Sequence, residues 1–323
     1  MLGIIHHLKT FNLRRRDHNL ILVYDGLDQL NVNPFTHQLF ISLKENFNLS
    51  LVQTQKLVSH SVKAEVGQTV LVISRLRKWR SLPGKSHEFF RRSKVFFYDQ
   101  DPWEAYHDNA ACRGIYEKIF QTIRPEAFLV TSPWWAEYIR QHSKLPVHFV
   151  RMGILPKYCD QGGSFAKRAY KVGFQGTVHP HRMSFYDRLR EHGIKVDILP
   201  KKPFFSFLKD VQNIGIFIYG DQGAIKMNGT RQPFHGLWGK CLTVAGRGCF
   251  VIRNHDLAYD GYAINELPTV QTFKEDAEIP GLIRNIVNRS DAKNDILIAQ
   301  TISKLKERND WQSVSSFMQD SRF

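Results

Sequence analysis

The stretch YKVGFQGTVHPHRMSFYDRLREHGIKVDIL, residues 170–199, decides how this chain is read. An apolar run containing Val172 and Phe174 ends in the step Gly176-Thr177; a basic cluster, a helix-compatible segment and a second strand follow. That order is a β-loop-α-β unit whose first turn can hold a phosphate. Gly176 lets the backbone come close, and the following helix offers free N–H groups and a positive dipole end to an anion. His179, His181 and Arg182 fall in the loop or the first helical turn, where they can pair with that anion. The unit begins near the middle of the chain, so a second Rossmann-like domain starts here.

The same alternation runs outward in both directions. Towards the N-terminus, NLILVYDG (19–26) reads as a buried strand and FTHQLFISLKENF as a helix around 34–46, with Phe35, Leu39, Phe40 and Leu43 at helical spacing. Strands are expected at 49–55, 68–75, 94–101, 127–132 and 147–153, and helices around 110–123 and 134–142. The run PKYCDQGGSFAKR (156–168) has the Pro, Gly and polar composition of a linker. Beyond it come strand 171–175, helix 182–192, strand 194–199, helix 203–209, strand 214–219, a polar loop 220–235 and helix 236–247. Strands 249–253 and 268–273, a helix at 279–288 and a mostly helical tail at 291–317 complete the pattern. The fold class is therefore α/β, with two parallel-sheet domains, 1–158 and 159–323, facing each other across a cleft. A chain of 323 residues suits that division, since domains of about 150 residues are usual.

Composition narrows the classes. Hydrophobic residues make up 42% and charged residues 23%, which is the balance of a folded chain and not of a disordered one. No apolar run approaches the roughly 20 residues that span a bilayer. At the N-terminus the apolar residues precede the arginines and no small-residue cleavage site follows, the wrong order for a secretory signal. Cys112, Cys159, Cys241 and Cys249 are widely spaced without a CxxC pair, which fits reduced buried thiols of a cytosolic protein better than disulfides or a metal site. Lys and Arg number 45 against 30 Asp and Glu, a net charge of +15. That excess implies an acidic partner: a phosphorylated substrate, an anionic membrane surface or nucleic acid. No basic helix with spaced aromatics, zinc-finger spacing or RNA-binding aromatic signature accompanies it, so no nucleic acid partner is expected.

Three stretches together resemble the nucleotide-sugar-binding domain of GT-B glycosyltransferases, of the group 1, family 4 type and the related CgeB-like proteins. YKVGFQGTVHPHRMSFYDRLREHGIKVDIL is similar to the strand, Gly-loop and Arg-bearing helix that open that domain. GLWGKCLTVAGRGCFVIRNHD looks like its helix-then-strand unit, and YDGYAINELPTVQTFKEDAEIPGLIRNIV like its closing segment. PEAFLVTSPWWAEYIRQH followed by VHFVRMGILPKYCD resembles the segment leading into the interdomain linker. The resemblance implies sugar transfer from a nucleotide donor to a glycan or lipid-linked acceptor, with no metal and no cofactor. One departure stands out. The ribose-binding glutamate expected in GKCLTVAGRGCF is replaced by a neighbourhood of Lys240, Thr243 and Arg247, and QPFHGLWG carries His235 where an acid is expected. A degenerate protein that binds nucleotide or glycan without turnover is the alternative; a nucleic-acid-binding protein, argued from charge alone, is the third.

Such a transfer releases a diphosphate, and fixed cations or helix N–H groups stabilise the charge growing on it. The donor-binding candidates are Gly176, Thr177, Arg182, Lys226, Arg231, Lys240 and Thr243, with Arg231 first because KMNGTRQPFHG follows a strand, where α/β ligands bind. For any single Lys or Arg the plain alternative is a solvated surface charge. In FFYDQDPW, Asp99 and Asp101 form an Asp-x-Asp pair able to chelate a hard cation. In the GT-B reading Asp101, Glu104 or His107 instead acts as base towards an acceptor hydroxyl, and Asp101-Pro102 also suits a helix cap. Trp134-Trp135 either stacks on a sugar or lies in the core. The first 18 residues, with Arg14, Arg15 and Arg16, either attach to anionic lipid at the inner face of a membrane or are a solvated terminus.

Overall fold

Alternation within NLILVY already describes the first sheet: β1 (Asn19–Tyr24) sends Leu20, Leu22 and Tyr24 into one core and Val23 into another. The computed structural model describes residues 18–58, 67–73, 75, 78, 86–100, 102–220, 224–233, 239–255 and 264–320. β1 lies in a six-stranded parallel sheet with β2 (Asn48–Gln53), β3 (Thr69–Val72), β4 (Lys94–Asp99), β5 (Ala127–Val130) and β6 (Val147–Phe149), in the order β2-β1-β3-β4-β5-β6. Apolar residues on both faces, such as Val95 and Phe97 against Phe96 and Tyr98, require cover on both sides.

Helices supply it. After α1 (Leu27–Val32), α2 (Pro34–Asn46) is started by Asn33, whose side chain accepts from the Phe35 and Thr36 amides, and by Pro34 in its first turn. It lays Leu39 and Leu43 on one face of the sheet. The short α3 (Thr54–Val58) and α4 (Ser86–Arg91) are followed by α5 (Ile115–Thr122) and α6 (Pro133–His142), which cover the other face with Tyr116, Ile119, Phe120, Trp135 and Ile139. Burying one such side chain stabilises the fold by about 1.5–3 kcal/mol.

The second sheet is also parallel, in the order β13-β12-β9-β7-β8. Its elements are β7 (Tyr170–Gln175), α7 (Pro180–Glu191), β8 (Asp197–Leu199), α8 (Phe204–Val211), β9 (Ile214–Tyr219), α9 (Gly239–Gly246), β12 (Phe250–Asn254), β13 (Val270–Phe273), α10 (Ile279–Val287) and α11 (Asp291–Arg308). Between β9 and α9, the expected polar loop is instead an antiparallel hairpin, β10 (Ala224–Met227) and β11 (Thr230–Pro233). Its turn is Asn228-Gly229 with φ of 49° and 79°; both left-handed positions suit a two-residue primed turn.

Two segments join the halves. The chain from Val150 to Leu155 is buried except at Arg151, with Met152 and Leu155 in the first core and Ile154 in the second. The tail is two helices and not one: α11 stops at Asn309, in the left-handed conformation, and α12 (Gln312–Asp320) returns to the first sheet. Trp311, Val314 and Met318 pack there with Leu39 and Leu43. Among the described residues no helix is long and apolar enough to cross a membrane, and all four cysteines are free and buried.

Candidate functional site

Each sheet reverses its strand order once, and in open α/β sheets the crevice at the carboxyl ends of the strands flanking that point binds ligand. In the first domain it lies between β1 and β3. There Asp25 accepts from the Arg75 amide at 3.1 Å and from the Thr54 hydroxyl at 3.4 Å. In the second it lies between β7 and β9, and two cations fill it.

Arg182, in the first turn of α7, is 8% exposed. Its guanidinium lies 5.0 Å from the centre of the Phe174 ring on β7 and 5.2 Å from that of Tyr219 on β9. Nη1 donates to the Thr177 carbonyl at 2.7 Å, whereas Nε is buried without a hydrogen-bond partner among the described residues. Lys240, at the start of α9, approaches the same ring: its Nζ is 5.1 Å from the Phe174 centre, 5.9 Å from that of Phe207 and 3.2 Å from the Gln175 carbonyl it donates to. Burial, then the neighbouring charge of Arg182, bring the Lys240 ammonium down to about 8. Neither cation has an acidic partner among the described residues. A buried Arg182 and a half-buried Lys240, with no acidic partner among the described residues, have the charge that suits a multiply charged anion.

Gly176 completes it. Its φ is +145°, and a Cβ there would lie 2.5 Å from Lys240 Nζ. The walls around it are rigid: Gln175 donates to Asp210 at 2.7 Å and to the Pro200 carbonyl at 3.2 Å, and Lys202 pairs with Asp210 at 2.7 Å. α9 meets the other domain at its first residue, since a Cβ on Gly239 would run into Met152 and Phe35 at 2.7 Å. The cation site therefore borders the interdomain junction.

Of the donor candidates, the structure brings together Gly176, Thr177, Arg182 and Lys240. Thr243 is fully buried, its hydroxyl bonded to the Gly239 carbonyl at 3.0 Å. Arg247 is a brace, donating to the Leu208 and Tyr158 carbonyls at 3.2 and 2.9 Å. Lys226 sits on β10 opposite Arg231 on β11, and its carbonyl accepts from the Asp108 amide of the first domain. His179 and His181 stack on each other, exposed, at 5.6 Å.

Asp101 of the first domain and His235 of the second lie outside the described residues. Asp99 accepts a hydrogen bond from the Tyr116 hydroxyl. Glu104 is half-buried in the single turn Pro102–Ala105, and His107 accepts from the Asn109 amide at 3.1 Å through Nδ1. Trp135 is buried in the core and Trp134 is half-buried, stacked on Tyr138 at 5.1 Å. Sequence reasoning passed over the aromatic platform of Phe174 and Tyr219 and the role of Asp108. The Asn228-Gly229 dipeptide was the one local signal for the hairpin.

No family model matches the chain, and no curated protein matches it in sequence. Solved structures do match. An alpha-glucosyltransferase in complex with UDP-glucose and DNA containing an abasic site superposes with a TM-score of 0.61 at 10% identity, over 95% of this chain and 99% of that one. HepE from Anabaena in complex with UDP and glucose gives 0.63 at 9% identity, over 94% and 99%. Sucrose-phosphate synthase from Thermosynechococcus elongatus gives 0.56 at 10% identity, over 94% and 98%. These likenesses are of fold, and the fold is GT-B, as the resemblance of the second half implied.

Proposed function

We propose that this protein is a glycosyltransferase that takes a sugar from a nucleoside-diphosphate donor. The donor is held in the second domain, 159–323, and the acceptor in the first, 1–158. The observation that carries the proposal is the pair Arg182, buried, and Lys240, half-buried, over one ring at the switch point beside Gly176, with no acidic partner among the described residues. In this reading the donor diphosphate lies on Arg182, Lys240 and the α7 N-terminus. These groups stabilise the charge that grows on the leaving diphosphate without a metal. Asp101, Glu104 and His107 follow β4 on the acceptor side and are the candidates for the base. The acceptor is a glycan or a lipid-linked glycan, reached from solution or from an anionic membrane surface.

UDP-linked sugars are the first donors to test, because structural neighbours carry UDP. Calorimetry with UDP, GDP and ADP, with and without Mg²⁺ or Mn²⁺, tests the site. Metal-independent binding of one nucleotide, weakened in Arg182→Ala, is the expected result. Binding that requires the metal moves the diphosphate to Asp99 and Asp101 and ends the metal-free reading. Transfer assays should include duplex DNA beside glycans, since one neighbour was solved with DNA and this chain carries +15.

One observation favours a second reading. α9 turns no acid towards a ribose: Thr243 is sealed in the core and Arg247 braces the linker. A protein that binds nucleotide or glycan without turnover accounts for that. Nucleotide binding with no sugar released or transferred, under any acceptor, selects it.

A further inference from the structure

The hairpin β10–β11 belongs by chain order to the second domain and is anchored in the first. It forms a two-stranded sheet of its own, separate from both parallel sheets. A lone hairpin is marginal in water, so what its tip touches sets its position. Met227, 3% exposed, belongs to the first-domain core that also holds Phe97, Tyr116 and Trp135. Asp108 grips the turn three times. Its Oδ1 accepts from the Asn228 amide and its Oδ2 from the Gly229 amide, both at 2.8 Å, and its own amide donates to the Lys226 carbonyl at 2.8 Å. Arg113 ties both sides together, with Nη1 3.1 Å from Asp108 Oδ1 and Nη2 donating to Asn228 Oδ1 at 3.1 Å. The Gly229 amide, with Asn228, Arg113 and Lys226, holds the Asp108 carboxyl below its ordinary value, so the gripping form is the carboxylate.

The hairpin also interrupts the chain between two parts of the cation site. Tyr219, which flanks Arg182, ends the strand before it, and Lys240 lies in the first turn of the helix after it. We infer that Asp108 is a positioning residue: it clasps the hairpin to the first domain and so holds Tyr219 and Lys240 in the arrangement that receives a diphosphate. The clasp rests on geometry alone; its link to anion binding rests on the donor reading above.

Hydrogen exchange on the full chain tests the clasp, and calorimetry with inorganic pyrophosphate tests the link. In Asp108→Ala the Asn228 and Gly229 amides are expected to exchange at least about 10-fold faster while those of Ile216 to Ile218 in β9 hold, which separates release of the hairpin from unfolding. Asp108→Asn, with one acceptor oxygen left, falls between. Gly229→Ala keeps Asp108 but strains the turn at φ +79° with open space around the new Cβ, and is expected to release the hairpin too. Pyrophosphate affinity is expected to fall about 5- to 150-fold in Asp108→Ala, less in Asp108→Asn. Unchanged hairpin exchange in Asp108→Ala overturns the clasp. Faster exchange with unchanged affinity overturns the link. A wild type that binds no pyrophosphate overturns the donor reading and with it the link, while the exchange comparison still decides the clasp.

Discussion

Lys240 and Arg182 share one aromatic ring, their charged groups 5.1 Å and 5.0 Å from the centre of Phe174. Two like charges at one buried ring repel, and the ring and the Gln175 and Thr177 carbonyls offset only part of that cost. An arrangement of this kind is stabilised further when a dianion enters it. On the proposed donor reading, this repulsion between the two groups is what a bound diphosphate offsets.

The first consequence is a pH dependence. The Lys240 ammonium sits at about 8 in the fold against an ordinary 10.5, burial being the main cause. Between those values the unfolded chain binds the proton and the folded chain does not, so the Lys240 contribution to stability rises with pH across that window, against the opposite contribution above about pH 9 of Cys159, Cys241 and Cys249, whose thiols burial pushes up to about 12. Lys240→Met is expected to abolish that rise and to stabilise the ligand-free protein. Thermal melts from about pH 7 to pH 10 on both proteins check it. A diphosphate favours the ammonium, so its binding near pH 8 is expected to take up a proton, which calorimetry in buffers of different ionisation enthalpy reads directly. An equal rise in stability in the variant removes Lys240 as its cause.

Gly176 supplies an independent test of the same site. At φ +145° any side chain is strained, and the new Cβ would meet Lys240 Nζ at 2.5 Å. Gly176→Ala is expected to cost about 1–3 kcal/mol of stability and to displace the ammonium from the ring. Urea denaturation should show the loss, and pyrophosphate binding should fall more than about 10-fold. Full binding in a destabilised variant would place the anion elsewhere.

Much of this was legible in the chain. Strand Ile214–Tyr219 and helix Pro34–Asn46 stand where the apolar pattern put them. The loop Gly176–Arg182 was legible because strand, glycine and basic helix start are neighbours in sequence. Arg182 and Lys240 were both expected at the diphosphate, but their sharing of the Phe174 ring was not legible: the order β9-β7-β8 is what brings the start of α9 to the end of β7. Lys226 and Arg231 were expected at the donor site; that the Asn228-Gly229 turn pairs them across a hairpin whose tip is held by Asp108 was not legible. The tail was legible as helical, yet nothing local in it says that Trp311 belongs to the first core and Leu305 to the second.

His37 links the domains in a second way. Its Nδ1 donates to the Leu30 carbonyl at 2.9 Å, which leaves Nε2 to accept from the Tyr158 hydroxyl at 3.0 Å. Its ring also touches Phe204 and Phe205 of α8, 5.0 and 5.2 Å away. Burial, with a smaller push from Lys157, holds the imidazole below its ordinary 6.5, against the pull of the Leu30 bond. The unfolded chain therefore binds more protons just below pH 6.5, and stability is expected to fall on acidification through that range. His37→Gln should flatten this acid limb. A double-mutant cycle with Tyr158→Phe should give a coupling of about 0.5–1.5 kcal/mol. Zero coupling would mean that the His37–Tyr158 hydrogen bond contributes nothing to stability.

Trp311 is the pin that returns the chain to the first domain. It is fully buried, its Nε1 donates to the Gly153 carbonyl at 2.9 Å, and its own carbonyl accepts from the Ser42 hydroxyl at 3.1 Å. Ser313 reinforces it, accepting from the Arg151 amide at 2.9 Å and donating to the Arg151 carbonyl at 3.0 Å. Removing the indole leaves a cavity between α2 and α12 and an orphaned carbonyl. Trp311→Ala is expected to cost about 3–5 kcal/mol, and Trp311→Phe less, because most of the volume remains. The damage should fall on the first domain. Hydrogen exchange should quicken in α2 and α12, while the amides of β7 and β9 stay protected and pyrophosphate still binds at Arg182 and Lys240. Uniform loss of protection in both sheets would show instead that the two cores unfold as one unit, with Trp311 holding the whole chain and not one half of it.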